Sequence, residues 1–360
     1  MKIIIACGGT GGHIFPGVSL YRSLTKIQAG ADILLALDKR EASDSIVGDE
    51  FRRVYLALTP LRFKLDLQSV VVVLKLFKGV FQSLRVIIAI RPDVVVGFGG
   101  YASFFLVFFA RVFRIKTIIH EQNVMPGRAN RILAYISDKV AVGFSGTKDY
   151  FGVNSSKVAL TGNPLRQDLI QLNKAAACDF LGLSSGKFTI LVMGGSQGAH
   201  KINSVFFQAV SLLERKSEFQ VIHLCGEKDY LWLKNGYGDA GISARAFSFF
   251  GAMENAYSAA DMVISRAGAV TISEVASFGL PLILIPYLYA HGHQIQNAAY
   301  VAKNNAAILI EEKDLYPEFL RDKVLELFHR PELRESMGRN ISRLHRPGAS
   351  ESLAGLVLND

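Results

Sequence analysis

The chain has only three cysteines in 360 residues, Cys7, Cys178 and Cys225, scattered and odd in number. No disulfide framework or metal-ligand spacing can be built from them, and a reducing cytoplasmic compartment fits best. Charge is sparse as well: Asp, Glu, Lys and Arg make up 20% of the residues against 50% hydrophobic ones, which excludes a disordered chain. No Asp-x-Asp pair marks a tightly held catalytic cation. No Lys-Ser/Thr follows a glycine loop, so a P-loop nucleotidase is excluded. A signal peptide is not expected, because a strand pattern begins at residue 2. Long apolar runs are interrupted. The run 70–74 meets Lys75 and Lys78, and the uncharged stretch 94–110 contains Gly97, Gly99 and Gly100. Neither reads as a spanning helix of about 20 apolar residues.

The charge that is present lies unevenly. Residues 1–163 carry 21 Lys+Arg against 11 Asp+Glu, and residues 164–360 carry 19 against 20, so the net +9 comes from the first part. That asymmetry points to an anionic partner there: nucleic acid, an anionic membrane or a diphosphate-bearing substrate. The length predicts two domains, each able to bury its own core.

One device occurs twice. Residues 3–13 read IIIACGGTGGH and residues 188–199 read FTILVMGGSQGA. Each is an apolar strand, a glycine-rich turn and then a helical pattern. Glycine lets the backbone turn tightly and approach a bulky ligand, and the helix behind it aims free N–H groups at phosphate. Further strand patterns fall at 32–36, 94–96, 117–120 and 139–142, then at 220–224, 262–265, 282–285 and 307–310. Val, Ile and Leu runs without alternation fit strands buried on both faces, and intervening helices imply parallel, doubly wound sheets. A hinge is expected near Gly162-Asn163-Pro164. The polar clusters fall at strand carboxyl ends, where such sheets bind ligands.

The motifs taken singly leave alternatives. Gly8–His13 lacks the third glycine of a dinucleotide fingerprint, and the next strand does not end on an acid, Asp38 being only close. His13 is either a base or phosphate donor, or a capping and packing group. Gly194–Gly198 offers the Ser196 hydroxyl as a cap or phosphate ligand. Glu274, about one and a half turns into a helix opened by Gly268, is placed either for a ribose diol or for a cap. His291 and His293 do not share a helix face, so a metal pair is not expected. Gln294 and Asn297 do share one, and neutral amides suit sugar hydroxyls. His120–Asn123 reads as a polar ligand site or a loop cap. Lys75, Lys78, Gln82 and Arg85 recur at helical spacing among Val, Leu and Phe. That is either a face for an anionic bilayer or the solvated side of a core helix. Nucleic acid is not expected, since no reader motif appears.

Taken together and in order, GGTGGHIFPG (8–17), GFGGYAS (97–103), HEQN (120–123), GNPLR (162–166), GGSQGA (194–199), SRAGAVTISE (265–274) and HQIQNA (293–298) resemble the MurG family. These are bacterial glycosyltransferases that add N-acetylglucosamine to the lipid-linked muramoyl-pentapeptide precursor of peptidoglycan. The resemblance implies an α/β fold of the GT-B class, two Rossmann-like doubly wound parallel-sheet domains with a cleft between them. It implies an acceptor and membrane-facing domain at 1–163, a UDP-sugar domain at 164–335 and a helical segment at 336–360 packing back on the first domain. Thr10, Gly11, Gly12 and His13 would line the cleft, with His13 as base. Asn123, Arg166 and Ser196 would contact the donor and its diphosphate. Ala269, Val270, Thr271 and Glu274 would hold phosphates and ribose, and Gln294 and Asn297 the sugar. Phe250 stands where the family reads uracil through its backbone, although an Ile is expected there. Lys75, Lys78 and Arg85 would face the membrane. The implied partners are UDP-N-acetylglucosamine, undecaprenyl-diphosphate-linked muramoyl-pentapeptide and an anionic surface. The implied place is the cytoplasmic face of the bacterial inner membrane, bound peripherally. No cofactor is expected, a divalent cation at most assisting without a dedicated site. Rival readings are a UDP-sugar epimerase or lipid galactosyltransferase, a nucleotide-dependent dehydrogenase, and a membrane-surface adaptor.

Overall fold

The structure, a computed structural model, describes residues 1–38, 47–58, 67–195, 197–288 and 292–359, with the side chains of 67–75 outside the description. The chain divides into two compact units, Met1–Arg166 with Arg346–Asp360, and Gln167–His345.

Unit 1 opens with β1 (Lys2–Cys7), α1 (Gly11–Ile27), β2 (Asp32–Asp38), β3 (Arg53–Leu56), α2 (Leu67–Ile90), β4 (Val94–Gly97), α3 (Gly100–Val112), β5 (Lys116–Glu121), α4 (Arg128–Ile136), β6 (Lys139–Val142) and β7 (Val158–Leu160). Its sheet has the order β3-β2-β1-β4-β5-β6-β7, with every pairing parallel. The order reverses between β1 and β4, so the helices that follow these strands leave to opposite faces. Burial follows from this. Ile3, Ile5 and Cys7 of β1 pack with Ile14, Leu20 and Leu24 of α1. Ile4 and Ala6 pack on the other face with Ile87 of α2 and Leu106 of α3. Both faces are covered, which is why the strand reads as an unbroken apolar run.

Unit 2 contains α5 (Lys174–Leu181), β8 (Phe188–Met193), α6 (His200–Ser211), β9 (Phe219–Leu224), α7 (Glu227–Asp239), β10 (Ser243–Phe247), α8 (Met253–Ala259), β11 (Met262–Ser265), α9 (Ala269–Phe278), β12 (Leu282–Leu284), α10 (His293–Lys303), β13 (Ala307–Leu309), α11 (Pro317–His329) and α12 (Pro331–Ser342). Its parallel sheet runs β10-β9-β8-β11-β12-β13. Ile190 and Val192 of β8 share a core with Phe206 of α6, Leu233 of α7, Leu320 of α11 and Met337 of α12.

The last helix, α13 (Ala349–Leu358), belongs to unit 1. Leu353, Ala354 and Val357 are fully buried in the cluster that contains α1, and the Lys116 ammonium donates to the Val357 carbonyl at 3.3 Å. At Gly162 (φ +83°) an added Cβ would meet the Cβ of Arg346 at 2.5 Å. The outgoing and returning segments therefore touch within unit 1, at a glycine that no other residue could replace without strain.

Three strands went unforeseen from the sequence: β3, β7 and β10. All three lie at a sheet edge, where one side of the strand is open; β3 and β10 mix polar with apolar residues, and β7 is only three half-buried residues long. The second strand also extends past its expected end at residue 36 to Asp38.

Candidate functional site

In unit 1 two glycine loops meet at the switch point beyond β1 and β4. A Cβ on Gly100 (φ +83°) would lie 2.5 Å from the Gly8 Cα. The His13 ring fills the space beside them: a Cβ on Gly8 would reach its Nδ1 at 2.7 Å, and one on Gly99 its Nε2 at 3.1 Å. The ring is thus half-buried between two backbones rather than swinging in solvent. Thr10 precedes α1 in an extended conformation, and its hydroxyl lies 3.3 Å from His13 Nδ1. Thr10 and Gly12 are exposed and Gly11 is partly so. Four of the expected residues are therefore brought together.

Asp38 is the acid that does end β2, and it is turned inward. Its carboxylate is buried and accepts the Ala102 N–H at 2.9 Å in the first turn of α3. A dinucleotide-binding acid must face a ribose; this one serves a helix N-terminus instead.

The HEQN segment is largely interior. His120 is fully buried, with Nε2 donating to the Gly162 carbonyl at 3.0 Å and Nδ1 accepting from the Gln122 amide at 3.3 Å. Burial lowers its pKa to about 4, against the opposing pull of the Gly162 carbonyl, so the ring is neutral. Glu121 accepts from the Asn123 and Gly127 N–H groups and from the Asn123 and Asn130 side-chain amides, all at 2.9–3.0 Å. Asn123 stays half-buried, held in place by that carboxylate. Arg166, also half-buried, stacks its guanidinium over Phe15 of α1 at 5.5 Å.

In unit 2, Gly194–Gly198 stands beyond β8. Gly198 (φ +74°) approaches the β9 loop so closely that a Cβ would fall 2.0 Å from the Cys225 carbonyl. Ser196 lies outside the described residues. Beyond β11, Arg266 is fixed by Glu312 at 2.7 Å, by the Ile285 carbonyl at 3.2 Å and by the Tyr287 ring at 5.2 Å. Two residues on, Gly268 is the N-cap of α9. Val270 and Thr271 are partly exposed there, whereas Ala269 is buried. Glu274 is half-buried and accepts the Tyr257 hydroxyl at 2.8 Å. Phe250, half-buried after β10, packs on Phe247 with centroids 4.5 Å apart. The amide pair divides. Asn297 is fully buried and donates to the Ala267 carbonyl at 3.0 Å, while Gln294 lies nearer the surface and accepts the Tyr287 N–H at 2.9 Å. Neither Asp38, Tyr257 nor the Arg266–Glu312 clamp was foreseen, since each acts through partners distant in sequence.

Four helices begin behind these loops: α1, α3, α6 and α9. None has an acidic residue of its own in the first turn or a hydrogen bond from its N-cap side chain. The positive end of α3 is instead met by the Asp38 carboxylate, whereas the described residues place no such carboxylate at those of α1, α6 and α9. Among the described residues no group of His, Cys, Asp and Glu could hold a metal ion.

On α2, Phe77, Lys78, Phe81, Arg85 and Ile88 share one stripe at helical spacing. Phe77, Phe81 and Ile88 are 68%, 67% and 51% exposed, and both cations are exposed too. The Lys75 side chain lies outside the described residues. No helix among the described residues is long and apolar enough to cross a membrane.

Residues 3–142 match the glycosyltransferase family 28 N-terminal domain, and residues 189–353 match the glycosyltransferase family 28 C-terminal domain. A UDP-N-acetylglucosamine–N-acetylmuramyl-(pentapeptide) pyrophosphoryl-undecaprenol N-acetylglucosamine transferase from Thermodesulfovibrio yellowstonii is 37% identical over 356 residues, 98% of this chain and 97% of that one. The crystal structure of Acinetobacter baumannii MurG superposes with a TM-score of 0.79 at 24% identity, covering 100% of this chain and 99% of that one. The UDP-GlcNAc 2-epimerase of Neisseria meningitidis bound to UDP-GlcNAc superposes with a TM-score of 0.71 at 14% identity, covering 100% of each chain. Two different activities thus share the fold, and the full-length sequence relationship discriminates between them.

Proposed function

The chain belongs to glycosyltransferase family 28, and on that premise we propose that it transfers N-acetylglucosamine from UDP-N-acetylglucosamine to the lipid-linked muramoyl-pentapeptide of peptidoglycan synthesis, forming a β-1,4 linkage with inversion. The observation that carries the mechanism is the His13 ring, held between two glycine loops at the open head of α1.

Unit 1 takes the acceptor. The attacking hydroxyl gives its proton to a His13 ring nitrogen as its oxygen bonds to the anomeric carbon, and Thr10, Gly11 and Gly12 provide the exposed floor. Unit 2 takes the donor. The bond from the anomeric carbon to the diphosphate oxygen breaks, and UDP leaves with the added negative charge. The open N-terminus of α9 at Ala269–Thr271 and the Ser196 loop stabilise that charge, with Arg166 and Asn123 as further donor contacts. Glu274 accepts from the ribose diol, and the backbone around Phe250 reads the base. Gln294 meets the sugar, backed by Asn297, which holds the Ala267 carbonyl behind it. The scheme requires no resident cofactor.

The α2 stripe of Phe77, Phe81 and Ile88 with Lys78 and Arg85 suits a surface that is apolar below and anionic at its headgroups. It supports the reading that the enzyme acts peripherally at the cytoplasmic face of the inner membrane, against a lipid-held acceptor. Nucleic acid is not a partner in this reading.

The test is UDP release on mixing the protein with UDP-N-acetylglucosamine and a lipid-linked muramoyl acceptor analogue. Acceptor-dependent release is expected, and none above the hydrolysis background refutes the assignment. His13→Ala should lower turnover by about 10²–10⁴ with UDP affinity close to that of the parent. Near-normal turnover in that variant removes His13 as the base.

A further inference from the structure

We propose that Tyr257 is a positioning residue for donor recognition: its hydroxyl fixes the Glu274 carboxylate for the ribose diol and couples it to the segment that reads the base. The inference rests on the ribose role given to Glu274 above.

Tyr257 lies on α8 and Glu274 on α9, and the phenol O–H donates to the Glu274 carboxylate at 2.8 Å. Tyr257 is 1% exposed, whereas Glu274 is half-buried, so the pair runs from the core outward to the ligand side. A phenol buried this deeply needs a partner for its hydroxyl, and a carboxylate acceptor makes the bond charge-assisted. The tyrosine ring cannot easily swing away. It stacks on Phe278, one turn beyond Glu274 on α9, with centroids 5.1 Å apart, and its oxygen lies 3.9 Å from the Met193 sulfur at the end of β8. A glutamate has three rotatable side-chain torsions; this contact restricts them before any ligand arrives, which lowers the entropic cost of binding.

The second half of the inference comes from chain position. Tyr257 stands one helical turn after Met253, which begins α8 directly behind Phe250-Gly251-Ala252. Met253 is buried and its N–H donates to the Gly251 carbonyl at 2.9 Å. One short helix therefore joins the segment placed at the base to the acid placed at the ribose. A shift of α8 moves both contacts together.

The experiment compares the intact protein with Tyr257→Phe and Glu274→Gln, measuring calorimetric affinity for UDP and 2′,3′-dideoxy-UDP and steady-state turnover. Tyr257→Phe should weaken UDP about five- to twenty-fold and raise the donor KM in step, with kcat changed by less than about two-fold. Its affinity for 2′,3′-dideoxy-UDP should match the parent's, so the preference for the ribose diol shrinks. Equal weakening of both nucleotides would mean a packing role only and overturn the proposal. So would parent-like UDP affinity in Tyr257→Phe alongside a loss in Glu274→Gln. Parent-like UDP affinity in Glu274→Gln instead overturns the ribose assignment itself, and this inference with it.

Discussion

His13, His120 and His223 all sit at the carboxyl ends of strands or just beyond them, yet they serve different ends. His13 keeps a face toward solvent between glycine loops. His120 and His223 are sealed in, one per unit, and burial drives their pKa values down to about 4 and about 3, with Asp229 pulling the latter back up. His223 is held between the Tyr237 hydroxyl at 2.7 Å and the Asn203 side chain at 3.0 Å. The unfolded chain takes up protons on such rings near pH 6.5, the folded chain only far below. Stability is therefore full above about pH 7 and declines as the pH falls from about 6.5 toward 4, by up to about 1.4 kcal/mol per histidine per pH unit. Thermal melts between pH 7.5 and 4.5 check this, and His120→Gln should flatten the decline by nearly one proton's worth. A slope identical to the parent's would show that His120 titrates alike in both states. Their motifs marked His13 and His120 as polar groups at strand ends and left His223 unremarked inside an apolar strand, and spacing could not tell a sealed ring from a working one. That difference depends on what the fold lays over each, such as the Gly162 carbonyl above His120.

At the scale of elements, the central strands were legible because both of their faces are buried, leaving a run such as Ile3–Ile5 that nothing else explains. The edge strands β3, β7 and β10 were not, since Ser243–Phe247 alternates exposed and half-buried residues that a loop could equally carry. The glycine loops and the residues on them were legible for the same reason as the central strands: they punctuate strong patterns. Tyr257 was not, because its partner lies on the next helix and no local spacing links the two. Helix α2 shows the limit of pattern in another way. Its apolar content suits either a core or a membrane, and only the exposure of Phe77, Phe81 and Ile88 favours the second. Replacing Lys78 and Arg85 by Glu should weaken sedimentation with anionic vesicles in a salt-dependent manner, by about tenfold for the pair at physiological ionic strength, while leaving neutral vesicles little affected. Unchanged sedimentation would assign the stripe to something other than lipid.

At the scale of the molecule, one unit is continuous in sequence and the other is not. Gln167–His345 is a single stretch, whereas unit 1 needs Arg346–Asp360 to complete it. Leu353, Ala354 and Val357 leave solvent entirely against the α1 side of the sheet. Removing residues 346–360 should cost unit 1 about 3–6 kcal/mol from the leucine and valine alone. Hydrogen exchange checks this directly: amides of β1 and α1 should lose protection while those of β8 and α6 keep theirs. Equal loss in both units, or none, would refute the division.

That arrangement has a consequence for how the chain is made. Synthesis runs from the N-terminus, so α1 emerges early with Leu20 and Leu24 on a flank that the last helix helps to close. Unit 2 is complete as soon as His345 has appeared, while unit 1, begun first, still lacks its final piece. The order of completion thus reverses the order of translation. An early-born apolar flank waits through the making of an entire second unit before its last cover arrives, an interval in which exposed apolar surface favours aggregation.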